Sequence, residues 1–552
     1  MGIAGIFTKK NIEILDLLSK ESLHMRDIAA RLGISPAKVH STIQLFRKNN
    51  LVRENKEKNR IIISLNKESL LLKEIQSLLS TGREDASFEP KINIFDTISP
   101  LDFRYYGRNE GVFQKLQPYL SENAMIRHMA KVEAALANIL AKKGICSRKI
   151  AEEVEKACKK TTAEEVYSEE DKLRHNVRAL VNCIRSKVSD KAKPYVHFTA
   201  TSHDIIATAD ALRYKDFTNN ALLPLLMEFE STLIGLSLRE KNTLQVGRTH
   251  GQHAVPITFG FAIAQYVSRF GNSIIKIRKS ANNLRGKIAG ATGSYNASSL
   301  FFDDPEKFEK EVLAEIGLKA SPVSTQIPEH EFMLSYINAV MQSFGVLANL
   351  ADDMRHLQRS EIAEVAEVFG EKQVGSSTMP QKRNPINFEN VKSLWKAFMP
   401  RIVTLYEDQI SEHQRDLTNS ASSRFVPEIL AAFYISVARL NKTMKNLVVD
   451  KSSIKRNFDM NKELIVAEPL YILLAAHGHP DAHETVRQLT LKSQSAKKPL
   501  QEIIKKEHSL KPYLKKFSKR QIEIITSPEK YTGIAAKKAE SVCNYWKKEL
   551  RI

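Results

Sequence analysis

From Ser99 to the C-terminus, apolar residues recur at steps of three and four. Phe344, Leu347, Leu350, Met354 and Leu357 form one such stripe. This period places one side of a helix against a core. Stretches around 205–290, 331–370 and 390–450 are long enough for an extended helical bundle, and the expected fold class is mainly α. No strand–helix alternation and no nucleotide-binding glycine fingerprint follows a strand. The chain of 552 residues has room for several domains, and 42% hydrophobic with 26% charged residues is ordinary for a water-soluble protein. No apolar run approaches the ~20 residues of a membrane helix, and Met1–Lys10 lacks an apolar stretch long enough for a signal peptide. The expectation is a cytoplasmic protein without membrane contact. Cys146, Cys158, Cys183 and Cys543 lack metal-ligand spacing and read as reduced thiols.

The first eighty residues have a different character. Asn11–Lys20 reads as a helix and Met25–Leu32 as a second, ended by Gly33. Ser35 and Pro36 open a third, which runs through Val39, Ile43 and Phe46. A polar, basic turn, Glu54–Arg60, leads into the β-branched run Ile61–Ser64. The order resembles a winged helix-turn-helix domain. The resemblance implies that Lys38, His40, Ser41 and Gln44 face outward from a recognition helix, with Lys56, Lys58 and Arg60 on the wing. Two readings stay open: DNA binding, or a module kept for packing or oligomerisation. Met1–Pro90 holds 15 Lys/Arg against 11 Asp/Glu, a modest excess for a DNA binder. Leu491–Ile552 holds 16 against 6, and reads as a solvated basic face.

Inside the helical region, residues 375–390 read Gly-Ser-Ser-Thr-Met-Pro-Gln-Lys-Arg-Asn-Pro-Ile-Asn-Phe-Glu-Asn. Pro380 and Pro385 forbid a continuous helix. A glycine before small hydroxyl residues suits a loop that can close over a ligand, and Lys382, Arg383 and Asn384 offer donors to an anion. Further polar clusters stand at Tyr195–Arg213, Gly247–Pro256, Gly290–Ala297, Ser324–Gln326 and Arg415–Arg424. Any one of them could be a helix cap. Caps do not account for all of them in this order.

The 375–390 run resembles the signature loop of the fumarase/aspartase superfamily, Gly-Ser-Ser-x-Met-Pro-x-Lys-x-Asn-Pro. Arg-Asp-Leu-Thr-Asn-Ser at 415–420, Thr-Ser-x-Asp at 201–204 and Ser99-Pro-Leu-Asp-Phe-Arg-Tyr105 are similar to the adenylosuccinate lyase branch of that superfamily. The resemblance covers Ser99 to the C-terminus. It implies three lyase domains at 99–199, 200–448 (the central bundle) and 449–552, preceded by the winged helix-turn-helix-like domain read at 1–80 and a linker at 81–98.

It also implies C–N cleavage of adenylosuccinate and of the succinyl-carboxamide ribotide SAICAR in purine synthesis, releasing fumarate, with no metal or organic cofactor and with homotetrameric shared sites. Ser376 corresponds to the base and His250 to the acid, oriented by Glu389. Lys382 and Asn384 would stabilise the carbanion, and His175 would orient the substrate. Thr201 and Ser202 would hold a succinyl carboxylate. Arg104, Tyr105, Arg415, Ser420 and Arg424 would hold the phosphate and nucleotide, with Gln326, Ser377 and Met379 also contacting substrate. Asn176, Thr199 and Ala207 depart from residues common in that branch, and His203 occupies a variable place. Argininosuccinate lyase shares the loop but usually differs at 415–424. A metabolite-sensing regulator built on a lyase domain is a further reading; retention of acid and base groups argues against a dead site.

Overall fold

The computed structural model describes residues 8–57, 60–69, 71–72, 97–370 and 376–552. The chain forms two compact units, Met1–Pro90 and Lys91–Ile552; most of the expected linker at 81–98 lies outside the described residues.

In the small unit, α1 (Lys9–Lys20) is followed by β1 (Leu23–His24), α2 (Met25–Leu32), α3 (Pro36–Lys48), β2 (Val52–Glu57) and β3 (Arg60–Leu65). The strands form an antiparallel sheet in the order β1-β3-β2. Ser35 caps α3 by accepting from the Lys38 N–H, and Pro36 occupies the first turn, where its missing N–H costs nothing. Ile14, Leu18, Ile28, Val39, Ile43, Phe46 and Ile63 make the core. The expected turn at Glu54–Arg60 is shorter than the sequence suggested. Val52 pairs with Leu65 and Glu57 with Arg60, so the polar stretch is mostly strand. Polar residues fit there because β2 is an edge strand.

The large unit is a helical bundle. Ser202–Phe217 continues through a wider turn, Thr218–Leu222, into Leu223–Arg239. This continuous helix is long and apolar enough to cross a membrane by length and composition, which corrects the expectation that no apolar run approaches that length. More than half of its most apolar window is buried inside the protein. Phe259–Asn282 and Val426–Lys445 pack against it, and His330–Leu357 and Ile386–Phe398 complete the bundle by packing against those two and each other. Phe229 meets Phe270 edge-on at 5.1 Å, and Phe344 meets Phe433 at 5.6 Å. The last helix, Ala535–Leu550, returns to this core through Cys543, Trp546 and Leu550.

The expected helical stretches are interrupted more than periodicity suggested. The 205–290 stretch contains an antiparallel hairpin, Leu244–Thr249 with Gln252–Thr258. The 331–370 stretch stops at Leu357. The 390–450 stretch breaks at Pro400 and again across the polar segment before Val426. At each break polar or turn-forming residues replace the apolar stripe, and the backbone gains hydrogen bonds outside a helix.

Candidate active site

The long helices set the distances. His330–Leu357 has 28 residues, which span ~42 Å at 1.5 Å per residue. Just before its N-terminus, Gln326 N–H donates to the Gln414 carbonyl at 3.0 Å. Just after its C-terminus, Gln358 Nε2 donates to the Arg383 carbonyl of the signature loop at 3.4 Å. Phe259–Asn282, with 24 residues, likewise separates the hairpin that carries His250 from the Gly290 segment. The candidate residues of one chain therefore fall into groups at opposite ends of the bundle.

Thr201, Ser202, Gln326 and Arg415 belong to the first group. Asp204 organises it. Its carboxylate accepts from Thr201 N–H (2.8 Å), Lys287 Nζ (2.5 Å) and the N–H groups of Ala289 and Gly290. Asp204 and Lys287 are both fully buried, so each charge depends on the other. Beyond Gly290, the backbone of Gly293 (φ +78°) presses against Ser324, and a Cβ there would meet the Ser324 carbonyl at 1.8 Å. Only glycine fits that approach. Gln326 then connects to Gln414, the neighbour of Arg415. Arg415 donates through Nη1 to the Asp408 carbonyl at 2.8 Å, while its buried Nε and Nη2 have no partner among the described residues. That unpaired edge is the one that grips carboxylate or phosphate bidentately. His203, beside Ser202, has its pKa lowered first by burial, then by Lys287; Arg415 is close enough to add to the effect.

His175 and Arg424 share a neighbour. Burial raises the Glu170 pKa, and both Arg424 and His175 pull it down. His175 is exposed at the start of Asn176–Arg185, and its Nδ1 accepts from Arg178 N–H at 3.2 Å. That bond leaves the neutral ring's proton on Nε2. Ser420 lies in the turn before Arg424, its N–H bonded to the Leu417 carbonyl.

The second group surrounds the signature loop. Gly375 lies outside the described residues. Ser376 Oγ accepts from the N–H groups of Thr378 (3.3 Å) and Met379 (3.1 Å). Met379, Lys382, Asn384 and Glu389 line an open depression with Arg355, Arg359 and Arg383. Ser377 is exposed beside them. Tyr105 OH accepts from Asn390 Nδ2 at 2.8 Å, in the helix that follows the loop, and Arg104 is exposed next to it.

His250 stands at the tip of its hairpin. Thr249 pairs with Gln252, so His250 (φ +53°) and Gly251 (φ +74°) form the two-residue turn. Two positive φ values are what a primed hairpin turn requires. Histidine there is strained, a state that persists when the surroundings enforce it. Its ring is exposed and has no hydrogen-bond partner among the described residues. No bond joins it to Glu389, the expected orienting carboxylate, which shares its depression with Arg355 instead. Left-handed non-glycine backbone also occurs at His197, Thr199, Tyr295 and Arg415.

Several supporting roles were not assigned from the sequence, although His197 and Asp204 stand within the Tyr195–Arg213 cluster. His197 bonds Glu133 through Nδ1 at 2.6 Å and through its N–H at 3.1 Å. Burial lowers the His197 pKa, but Glu133 outweighs burial and the net shift is upward. Asp204, Lys287, Glu133, Glu364 and Glu367 act across 20 to 119 residues of chain. The one local signal was a set of charged residues inside otherwise apolar or loop segments.

The sequence matches the family described as Lyase over residues 104–397, and the family described as Adenylosuccinate lyase C-terminal over residues 411–532. It is 34% identical to the adenylosuccinate lyase of Pyrococcus abyssi over 455 residues, covering 81% of this chain and 98% of that protein. It is 32% identical to the adenylosuccinate lyase of Archaeoglobus fulgidus over 454 residues, again covering 81% and 98%. The 3-carboxy-cis,cis-muconate lactonizing enzyme of Pseudomonas putida shares the fold, with a TM-score of 0.70 at 22% identity, covering 79% of this chain and 97% of that one. With the signature loop and the 415–424 cluster both in place, this chain is a lyase and belongs to the adenylosuccinate lyase family.

Proposed function

We propose that the protein cleaves the C–N bond of adenylosuccinate, and of SAICAR, releasing fumarate with AMP or AICAR. The unpaired Nε/Nη2 edge of Arg415 carries this reading most directly. A buried guanidinium edge without an acceptor is costly unless a ligand completes it, and a nucleotide phosphate is a matching acceptor. Ser420 and Arg424 would complete the phosphate contact, with Arg104 and Tyr105 on the nucleotide. Thr201 and Ser202 would hold a succinyl carboxylate. Gln326, Ser377 and Met379 would line the remainder, and His175 would present its Nε2–H.

Ser376 would remove the proton next to the β-carboxylate. Its Oγ already accepts two N–H bonds, which favour the alkoxide over the hydroxyl. Lys382 and Asn384 would stabilise the doubly charged carboxylate form of the carbanion. His250 would protonate the departing nitrogen. Fumarate release from purified protein, with adenylosuccinate and argininosuccinate in parallel, tests the reading. Cleavage of argininosuccinate alone would overturn it.

Groups separated by ~40 Å along a helix cannot meet on one substrate. Copies packed antiparallel would bring the Thr201/Gln326/Arg415 end of one beside the His250/Ser376 end of another. We therefore propose a cytoplasmic homotetramer with shared sites. Mixing two inactive variants, Ser376→Ala and Arg415→Ala, under subunit exchange should restore measurable activity. Complete lack of restoration, with exchange verified by mass spectrometry, would contradict shared sites.

The small unit supports a second role. Its helix order and sheet suit a winged helix-turn-helix domain. Lys38, His40, Ser41 and Gln44 are exposed on α3, and Lys56 and Arg60 on the hairpin. Lys58 lies outside the described residues. We propose that this face contacts DNA. Gel shifts on genomic fragments should show binding that weakens with salt and is lost in Lys38→Glu/Arg60→Glu. No retardation even at low salt would leave the unit a packing module.

A further inference from the structure

Glu364 and Glu367 are buried carboxylates on either side of the two-residue strand Val365–Ala366, which pairs with Val448–Val449. Their spacing of three along extended backbone sends the side chains to opposite faces. Each reaches a different catalytic element.

Glu364 takes Arg248 Nη2 at 2.6 Å, Gln245 Nε2 at 2.7 Å and Asn457 Nδ2 at 2.9 Å. Arg248 and Gln245 lie on the first strand of the hairpin, and Arg248 precedes His250 by two residues. Glu364 is itself held at both backbone groups, its N–H by the Leu357 carbonyl and its carbonyl by Asp450 N–H.

Glu367 caps the helix Ile386–Phe398. The N-cap position is Pro385, which has no capping side chain. Glu367 supplies the missing acceptor to Asn387 N–H (2.9 Å), Phe388 N–H (3.0 Å) and Asn387 Nδ2 (2.6 Å). A carboxylate at a helix N-terminus also meets the positive end of the dipole. Arg439 Nη1 holds Asn387 from the other side at 2.8 Å. Gln358 closes the circuit, accepting from Glu367 N–H at 3.0 Å and donating to the Arg383 carbonyl. The capped end of the helix follows Lys382 and Asn384 directly and carries Glu389 in its first turn.

We propose that Glu364 and Glu367 are positioning residues forming one brace: Glu364 sets the His250 hairpin through Arg248, and Glu367 sets the C-terminal stem of the signature loop through Asn387 and Phe388. The brace fixes both catalytic elements to one short strand, so the proposed acid and loop groups keep a set geometry at this end of each chain. This rests on the roles given above to His250 and the loop. Misplacement of such groups by about 1 Å costs on the order of 100-fold in rate.

The test uses the full-length protein with adenylosuccinate. Glu364→Gln and Glu367→Gln keep side-chain size and remove the charge; Arg248→Met, at a partly exposed site, serves if Glu364→Gln does not fold. Steady-state kinetics and hydrogen–deuterium exchange are read together. For Glu364→Gln the expected result is a kcat reduced roughly tenfold or more with KM little changed, and faster exchange confined to 244–258. For Glu367→Gln the same kinetic split is expected, with faster exchange confined to 376–390. Adding Arg248→Met to Glu364→Gln should cause little further loss, because both break one contact. Unchanged kcat, additive losses, or exchange rising across the whole large unit would overturn the brace. His250→Asn separates the two levels. If it keeps full activity while Glu364→Gln still loosens 244–258, the role of His250 fails and the mechanical coupling stands.

Discussion

Ser376→Ala should lower kcat for adenylosuccinate by about three orders of magnitude or more, in line with removing a positioned general base, and leave the fold intact. Ser376 is the loop residue whose reactive atom is already prepared. Its Oγ accepts from Thr378 and Met379 N–H, and two such donors lower the cost of holding an alkoxide. The side chain is only partly buried and fills no core position, so its removal opens no internal cavity. Loss of an interaction made only in the transition state should leave KM within a few-fold of the parent value. Steady-state fumarate production and a thermal melt on the same sample check both parts. A variant that keeps more than about a tenth of the parent kcat would move the base elsewhere, because general base catalysis is worth at least ~100-fold.

Glu230→Met should stabilise the protein, and the gain should grow with pH. Glu230 is fully buried in the helix Leu223–Arg239, and both carboxylate oxygens lack partners among the described residues. Burial alone pushes its pKa up to about 9. The folded protein therefore holds this carboxyl protonated where the unfolded chain releases the proton. Between the ordinary carboxylate range and pH 9 the folded state binds more protons, so stability falls as pH rises. At pH 7 the penalty is on the order of 3 kcal/mol, from about 2.5 pH units at 1.36 kcal/mol each. Methionine removes that titration and fits an apolar site of similar length. Melting temperatures of parent and variant across pH 6 to 9 should diverge with rising pH. Parallel curves would show that Glu230 is ionised and paired in solution, and would sink the argument.

Much of the chemistry was legible in residue types and spacing. The Ser35-Pro36 start of α3 and the burial of Val39, Ile43 and Phe46 follow from local rules, because a cap and a three-to-four period need only neighbours in sequence. The signature loop was equally visible: two prolines, hydroxyls, cations and amides stand together with no apolar period to bury. The hairpin under His250 was less legible. Gly247–Pro256 drew attention as a polar cluster, yet its strands exist through pairing with each other, and the surrounding helical period hid them.

Local pattern decided that this chain is helical, that a separate small unit precedes the bundle, and which side chains could bind anions or move protons. Those properties reside in side-chain chemistry and in periods of a few residues. Folding decided the rest. Asp204 meets Lys287, Glu133 meets His197, and Glu364 meets Arg248 across 83, 64 and 116 residues of sequence. No local rule pairs charges at such separations; the packing of long helices brings them together and excludes the water that would weaken them. The same packing puts Gln326 and Arg383 at opposite ends of one 28-residue helix. A helix of that length is rigid, so the distance between the two halves of the candidate site follows from tertiary structure alone.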